Sequence, residues 1–532
     1  MTRYVVWSVA GVIVLVRILF VATYPLHDQG GDSYNYLWML IYGQSSLVHA
    51  GGYPFLFGLP FRILGIGLPL SAKANYAILI AQHVVDLLVL VFLYRVTRAL
   101  FGRLAGAIAV LLAGLNIQGL AAASAVYPEW LQGDLFVLAL GAAFYAFVRT
   151  SYREKLVCYA ASALAFSWCF LVKFNVAVLG FFLLAAIATD SVTLRRKALT
   201  AAACAGIAIA SLAGFELLFH HPTTGAYALT YDTAWVLLTR VHQFRHNTLD
   251  PNDGLNTKRW LALSSVLPPS YNQAGPGLFS RVDAVDKEIR EPYRRRYLFL
   301  VNATDYQASL MLKHTSLPAE FSVQVSAIPI GYYIGLPESD HLGVKVAVET
   351  IRAHPGEYAA AIWRDLAQTA RQWPGDAPFA TTTNLALFGV SHVAPLAHGY
   401  VRGSRESVNA AIAYSTPVIW WPGLRLFTAL HVHGLPAYWP TLAVVLAFLA
   451  AAGRIAAARR VDLESAVTLL LVLMVVIMVV VSVATLAFRW KEARVLLPIV
   501  SVLAGSAFAN AVAAGSMMRA ILAGRSRRTQ MA

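Results

Sequence analysis

About ten runs of roughly 17–25 apolar residues divide this chain, and each run is long enough to cross a bilayer as an α-helix. Of the 532 residues, 58% are hydrophobic and only 13% are charged. The mean hydropathy is +0.60, which is far too apolar for an ordinary soluble protein of this length. The sequence therefore predicts an all-α polytopic membrane bundle.

One long polar interval, 220–436, lies between the seventh and eighth apolar runs. It separates an N-terminal transmembrane module, residues 1–219, from a C-terminal one, residues 437–532, and a first external loop at 24–74 belongs to the N-terminal module. The interval contains aromatic and apolar residues throughout, together with turn signals, so we expect a folded extracytoplasmic domain. A mixed α or an α+β fold is open for this domain.

Clusters of Arg and Lys at the ends of the spans predict the orientation of the bundle. The positive-inside rule places these clusters in the cytoplasm, which puts the first loop and the polar interval outside. The same clusters account for the net charge of +15. Nucleic-acid binding is not predicted, because no basic stripe with interleaved aromatic residues occurs. The functional face is predicted to lie outside the cytoplasm.

The first external loop contains two carboxylates, Asp28 and Asp32, at the membrane surface. The segment from Asp32 to Gly43, which includes Tyr36, has the Tyr, Trp and Leu content of a helix that lies along the interface. Asp32 is either the N-cap of that helix or a general base for a substrate held at the membrane. One carboxylate can serve in both roles.

Two short external turns contain cations that the positive-inside rule does not explain. Lys173 lies between the fifth and sixth spans. The turn between the ninth and tenth spans contains Arg489, Lys491 and Arg494, with Glu492 as an internal partner. Two such turns on the face of the first loop indicate a site for an anion, most economically a lipid phosphate. The alternative is that these side chains snorkel to lipid headgroups.

Polar residues inside the spans have two interpretations each. Gln82, His83 and Asp86 share a face of the second span and form either a proton relay or interhelical hydrogen bonds. Arg17 in the first span either snorkels outward or faces the first loop. Glu129, at the outer end of the fourth span, is either a first-turn acid or a second active-site carboxylate.

Cofactor binding has no diagnostic pattern in this sequence. Asp28, Asp32, Glu129 and an external histidine offer scattered ligands, so no cofactor is certain and a divalent metal is possible. Neither a Walker A motif nor a glycine-rich nucleotide fingerprint occurs, which argues against direct use of a nucleotide.

Five short segments, taken in order, resemble a known group of membrane enzymes. They are Asp32 to Tyr36 (Asp-Ser-x-x-Tyr), Gly52-Tyr53-Pro54, Ser124 to Glu129, Phe166 to Asn175 with its single Lys, and Lys491 to Pro498 (Glu-x-Arg-x-x-x-Pro). This order is similar to that of the polyprenyl-phosphate-dependent GT-C glycosyltransferases, which include the protein O-mannosyltransferases and the lipid A aminoarabinose transferase. Ser33 stands where many relatives have Glu. This difference argues against a mechanism that uses two neighbouring carboxylates or a metal ion.

The resemblance implies a GT-C-like fold and an inverting sugar transfer on the non-cytoplasmic face. It implies a polyprenyl-phosphate sugar donor and a lipid, glycan or protein acceptor, within a shell of membrane lipids. The location expected from the bacterial members is a bacterial inner membrane, with the active site on the periplasmic or external face. Asp32 is then the catalytic base, with Asp28 and Glu129 as further catalytic candidates. The predicted ligands of the donor phosphate are Lys173, Arg494, Arg489 and Lys491.

A transporter or flippase of an amphipathic anion is the alternative function. Such a protein is expected to show an internal repeat and Gly/Pro-broken spans in matching positions, and the sequence shows neither. A structural scaffold, a third hypothesis, leaves Asp32 and the two basic turns without a role.

Overall fold

The computed structural model describes most of the membrane part and some of the polar interval. The described residues, to which the following statements refer, are 2–23, 36, 39–41, 43, 45, 51–67, 71–124, 126, 128–173, 180–224, 233–246, 248–265, 336–371, 438–485 and 490–531. Their helices are α1 Thr2–Thr23, α2 Gly52–Ile63, α3 Ala72–Phe101, α4 Arg103–Gly114, α5 Ile117–Ala123, α6 Pro128–Phe147, α7 Tyr152–Val172, α8 Gly180–Thr189, α9 Leu194–Phe215, α10 Thr233–Phe244, α11 Leu255–Ser265, α12 Leu336–Ala353, α13 Pro355–Arg371, α14 Trp439–Ala458, α15 Leu463–Thr485 and α16 Trp490–Met531. A π-helical turn, Glu216–His220, and a final turn, His221–Thr224, continue α9.

Eight helical stretches in the described residues are long and apolar enough to cross a membrane. They lie in α1, α3, α6, α7, α9, α14, α15 and α16, at eight of the predicted spans. The third predicted span is interrupted between α4 and α5, where the Asn116 side chain accepts a hydrogen bond from the Gly119 N–H at 3.1 Å. The sixth is represented by the 10 residues of α8. The prediction of an all-α membrane bundle is confirmed.

The core of the bundle forms around α6. In the most apolar stretch of this helix 72% of the residues are buried, compared with 17% in α1 and in α9 and 22% in α14. Phe136, Leu140 and Phe144 of α6 belong to one core cluster with residues of α3, α4, α7, α15 and α16. Apolar and small residues occur on every side of α6, as in a helix that is enclosed by other helices.

The start of α6 and the end of α7 lie at the same end of the bundle. Pro128 opens α6, a position where its missing N–H costs no hydrogen bond, and Glu129 follows in the first turn. After Val172 the chain leaves α7 in an extended conformation at Lys173, whose N–H donates to the Cys169 carbonyl at 3.1 Å. The two helix ends therefore bring two predicted site residues to one place.

The described parts of 220–436 are helices joined by turns, and no strand occurs in them. α10, α11, α12 and α13 share a small apolar core that includes Leu238, Trp260 and Val346. This layer contacts the membrane bundle through the Tyr358 hydroxyl, which donates to the Ala484 carbonyl at 2.7 Å at the end of α15. The predicted domain boundaries near 220 and 436 stay predictions, and residues 266–335 and 372–437 lie outside the described part.

Candidate active site

Glu129 of α6 and Lys173 after α7 form an ion pair. The Lys173 Nζ lies 3.0 Å from the Glu129 Oε1, and the side chains are 28% and 3% exposed, respectively. A buried carboxylate needs such a partner, because an isolated charge is costly to remove from water. Two residues predicted from separate motifs are thus in contact. Of the two, the lysine is the one with part of its side chain on the protein surface.

Gln132 sets the register of α6 and α7 beside this pair. Its Nε2 donates to the backbone carbonyl of Lys173 at 3.2 Å. The backbone carbonyl of Gln132 accepts a weak hydrogen bond from the Cys169 Sγ at 3.4 Å. Sequence reasoning did not single out Gln132. The available signal was a buried amide in an otherwise apolar span, which usually indicates a specific interhelical contact.

Three aromatic rings pack together beside the first turn of α6. The ring of the candidate Tyr36 meets that of Tyr53 edge-on, with centroids 6.0 Å apart, and Tyr53 meets Trp130 in the same way at 6.2 Å. The buried Tyr53 hydroxyl donates to the Gln82 Oε1 at 2.9 Å, and the Gln82 Nε2 donates to the Ala123 carbonyl at 2.8 Å. Tyr53 therefore links α2 to α3 and α6, a role that the Gly-Tyr-Pro motif alone did not reveal.

Gly52 allows α2 to approach the end of α7. An added Cβ would lie 2.5 Å from the Leu171 carbonyl group and 2.7 Å from the Val172 nitrogen. No side chain fits in this space without a backbone shift. The first turn of α2 is therefore held directly beside Lys173.

The beginning of α16 passes close to α6. The position that a Cβ would take on Gly133, one turn beyond Glu129, lies 3.9 Å from the Cα of Val495. The backbone thus places the start of α16 at the end of the bundle that holds the ion pair. The side chains of Lys491, Glu492 and Arg494, and all of Arg489, lie outside the described part, so their contacts with a phosphate stay predictions.

The two carboxylates of the first loop, Asp28 and Asp32, also lie outside the described residues. Their predicted roles are therefore not tested. Among the residues that the structure describes, no group of three or more His, Cys, Asp or Glu side chains is placed to hold a metal ion. Glu129, the described carboxylate of the suggested ligand set, contacts Lys173.

His83 and Asp86 belong to a buried network deeper in the bundle. Asp86 forms an ion pair with Arg17 of α1, and His83 contacts the Arg17 Nη1 through its Nδ1 at 3.1 Å and the Ser124 Oγ through its Nε2 at 2.9 Å. These contacts agree with the interhelical alternative. Arg17 is buried and pairs with Asp86 within the bundle, so it does not snorkel outward. Its predicted approach to the first loop stays a prediction, because Asp28 and Asp32 lie outside the described part.

Ser45 and His220 form a contact that the sequence did not predict. The Ser45 Oγ lies 2.7 Å from the His220 Nδ1, and the Ser45 N–H donates to the Thr223 Oγ1 at 3.2 Å. His220 ends the π-helical turn after α9. The first external loop is thereby attached to the point where the seventh span meets the polar interval.

The comparison with family models concerns the region that contains the ion pair. Residues 59–214, somewhat less than a third of the chain, match the family described as dolichyl-phosphate-mannose-protein mannosyltransferase. The predicted resemblance is confirmed. The chain is accordingly a membrane enzyme of the glycosyltransferase class. The matched region of the enzyme includes Glu129 and Lys173, but neither Asp32 nor the start of α16.

Similar solved structures span most of the chain at low similarity. The apo structure of ArnT from Cupriavidus metallidurans is 14% identical, with 94% of this chain and 77% of that chain covered and a TM-score of 0.31. The structure of the same protein bound to undecaprenyl phosphate is 15% identical, with 93% of this chain and 77% of that chain covered and a TM-score of 0.32. The oligosaccharyltransferase AglB from Archaeoglobus fulgidus was solved in complex with an inhibitory peptide and a dolichol-phosphate. It is 11% identical, with 84% of this chain and 58% of that chain covered and a TM-score of 0.33. No curated protein sequence matches the chain significantly.

Proposed function

We propose that the enzyme transfers a sugar from a polyprenyl-phosphate donor to a hydroxyl group of a lipid, glycan or protein acceptor on the extracytoplasmic face. The observation that carries this proposal is the Glu129–Lys173 pair at the end of the bundle where α2 and α16 begin. The description of the matching family, which names a dolichyl-phosphate-linked sugar, supports the same class of donor.

In the proposed reaction the acceptor oxygen attacks the anomeric carbon of the sugar. The bond from that carbon to the phosphate oxygen breaks, and its electron pair leaves with the polyprenyl phosphate. The acceptor proton passes to the carboxylate of Asp32, and the attack from the opposite side inverts the anomeric carbon. The prenyl tail remains in the bilayer, so the group that stabilises the leaving phosphate has to lie at the membrane boundary.

Lys173 is the group that we assign to this task, because it is a cation at the end of the bundle where α2 and α16 begin. Glu129 holds its ammonium group at a fixed place, and the partial exposure of the lysine leaves it accessible to a phosphate. Contacts to the leaving group strengthen as negative charge develops on it, so they lower the barrier and not only the dissociation constant. Arg494 is the proposed second ligand, because a planar guanidinium can contact two phosphate oxygens at once.

Replacing Asp32 tests the proposal directly. In proteoliposomes with a panel of polyprenyl-phosphate sugars, including mannose and aminoarabinose, we expect Asp32→Asn to lower the release of polyprenyl phosphate by about 10²–10⁴-fold, the range for loss of a general base. Asp28→Asn, at the other carboxylate of the same loop, is expected to have a smaller effect.

Two results would contradict the proposal. Release at the wild-type rate by a folded Asp32→Asn variant would remove Asp32 as the base. Movement of the intact donor across the bilayer, with no cleavage of the sugar–phosphate bond by the wild-type enzyme, would favour transport.

A further inference from the structure

α13 lies against the end of the membrane bundle at which α15 ends. The Tyr358 hydroxyl, in the first turn of α13, donates to the Ala484 carbonyl at 2.7 Å, one residue before the end of α15. The last carbonyls of a helix have no partner within the helix, and lipid tails cannot supply one. Because α15 is apolar and long enough to cross the bilayer, its last turn marks the membrane boundary, and the start of α13 lies at the same level.

The contact with the bundle continues along α13. Ile362 and Leu366 follow Tyr358 at steps of four residues, and both pack against the core cluster of the bundle. Trp439, the first residue of α14, packs against the same cluster. A short turn joins α14 to α15, so α14 begins at the end of the bundle where α15 ends. Eight residues of an α-helix span about 12 Å, so α13 runs along the bundle for two turns instead of standing away from it.

A second face of α13 is apolar and open. Trp363 is 74% exposed, and Ala359 and Ala367, four residues before and after it, lie on the same side of the helix. Arg364 and Gln368 are exposed further round the helix and form a polar face. At 3.6 residues per turn, the apolar face of Trp363 lies between the side that contacts the bundle and this polar face.

Lipid is the partner that fits this arrangement. Tryptophan is enriched where a bilayer meets water, because its ring sits at the level of the headgroups. A helix in this layer buries its apolar face by about 5–10 Å and keeps its polar face in water. Arg364, next to the apolar face, can extend towards the headgroup phosphates. Tyr438, immediately before α14, is a second exposed aromatic residue at this end of the bundle, as expected for a belt of interfacial side chains.

We propose that α13 binds the surface of the bilayer, with Trp363 and the alanines of its apolar face inserted among the headgroups of the adjacent leaflet. Asp365 of α13 pairs with Arg240 of α10, and Ala361 belongs to the small core that α10–α13 share. The insertion of Trp363 therefore attaches this helical layer to the membrane as well as to the bundle. The inference goes beyond the proposed function, since it concerns neither the donor nor the acceptor.

Photo-cross-linking identifies what covers the apolar face of α13. The photoreactive amino acid p-benzoylphenylalanine is incorporated in place of Trp363 in the full-length enzyme, and in place of Gln368 on the polar face of the same helix as the matched control. The enzyme is irradiated in its native membrane, and the adducts are identified by mass spectrometry. We expect phospholipid adducts to be about tenfold more abundant at position 363 than at position 368, because the apolar face of an interfacial helix lies within the lipid layer and the polar face does not.

Three results would overturn the proposal. An adduct of position 363 with a peptide of this chain or with another protein would show that protein covers the face. Equal lipid yields at the two positions would show that the helix does not present one side to the bilayer. No adduct at position 363 would place Trp363 in water.

Fluorescence quenching provides a second measurement on the purified enzyme. Phospholipids brominated on their acyl chains quench tryptophans that lie in the bilayer, and Trp363 is one of 12 tryptophans in the chain. In proteoliposomes we expect the quenched part of the emission to be smaller in Trp363→Phe than in the wild type, with an unchanged melting temperature, because the side chain is exposed in the protein. Equal quenching of the two proteins would contradict insertion of Trp363.

Discussion

At the scale of single residues, the site depends on how a buried carboxylate is balanced. Glu129 is almost completely buried and Lys173 is not, so the pair has a structural use and, in the proposed reaction, a catalytic one. A substitution of Lys173 alone cannot separate the two uses, because it leaves the Glu129 carboxylate buried without its cation. Neutralising both residues removes this ambiguity.

We expect Lys173→Met to lower both stability and turnover. Removing one partner of a buried ion pair costs up to about 3–5 kcal/mol. Adding Glu129→Gln should restore the melting temperature, since a neutral amide needs no counter-charge, while turnover stays low because the donor phosphate still lacks its cation. Thermal unfolding in detergent and polyprenyl phosphate release in proteoliposomes measure the two effects. Recovery of turnover in the double variant would mean that Lys173 serves only to neutralise Glu129.

A second prediction at this scale concerns His242 in α10. Burial lowers the pKa of its imidazole to about 4, compared with about 6.5 in an unfolded chain. Between these values the unfolded state binds a proton that the folded state does not, so stability is lost as the pH falls from about 6.5 towards 4. We expect the free energy of unfolding to decrease by up to about 2 kcal/mol from pH 7 to pH 5 on account of this residue.

His242→Phe should flatten this pH dependence, measured as the change in melting temperature of the full-length protein between the two pH values. His246→Gln is the control, because His246 is exposed. An equally steep dependence in His242→Phe would show that another group titrates.

At the scale of helices, the sequence predicted where the spans lie along the chain better than it predicted which side chains touch between them. Long apolar runs identified the spans, because each run satisfies its own backbone hydrogen bonds as a helix. The break at Asn116 was missed, since a single capping side chain inside an apolar run changes the average hydropathy very little. The partner of Arg17 was missed for another reason: it depends on how α1 and α3 are rotated about their axes, which only packing determines.

The contact between α2 and α7 gives a prediction at this scale. Alanine normally stabilises a helix relative to glycine by up to about 1 kcal/mol. We expect Gly52→Ala instead to destabilise the enzyme by about 1–3 kcal/mol and to lower turnover, because the new methyl group collides with the backbone at Leu171. Gly206→Ala in α9 is the matched control, since no atom lies within 4 Å of its added Cβ. Equal melting temperatures for the two variants would show that the helix ends separate freely.

At the scale of the whole molecule, the proposed chemistry requires the described helices of the polar interval and the ion pair to lie on the same side of the membrane. The positive-inside pattern predicts that this side is extracytoplasmic. The exposed residues Asn252, before α11, and Arg195, at the start of α9, lie on opposite sides in the predicted topology.

Cysteine labelling of the two positions tests this topology in sealed right-side-out vesicles. We expect an impermeant maleimide to label Asn252→Cys and to label Arg195→Cys only after the membrane is opened with detergent. Labelling of both positions from the outside would refute the topology, and with it the proposed face of action.

The enclosure of α6 has a consequence for how the chain can diverge. Substitutions on α1, α9 and α14 mostly meet lipid, so one apolar side chain can replace another there without disturbing a neighbour. A change on α6 meets another helix on nearly every side and has to be matched by a change elsewhere. Sequence drift should therefore proceed quickly around the rim of the bundle and slowly along its axis, and distant relatives of this enzyme are best sought by aligning outwards from Pro128–Phe147.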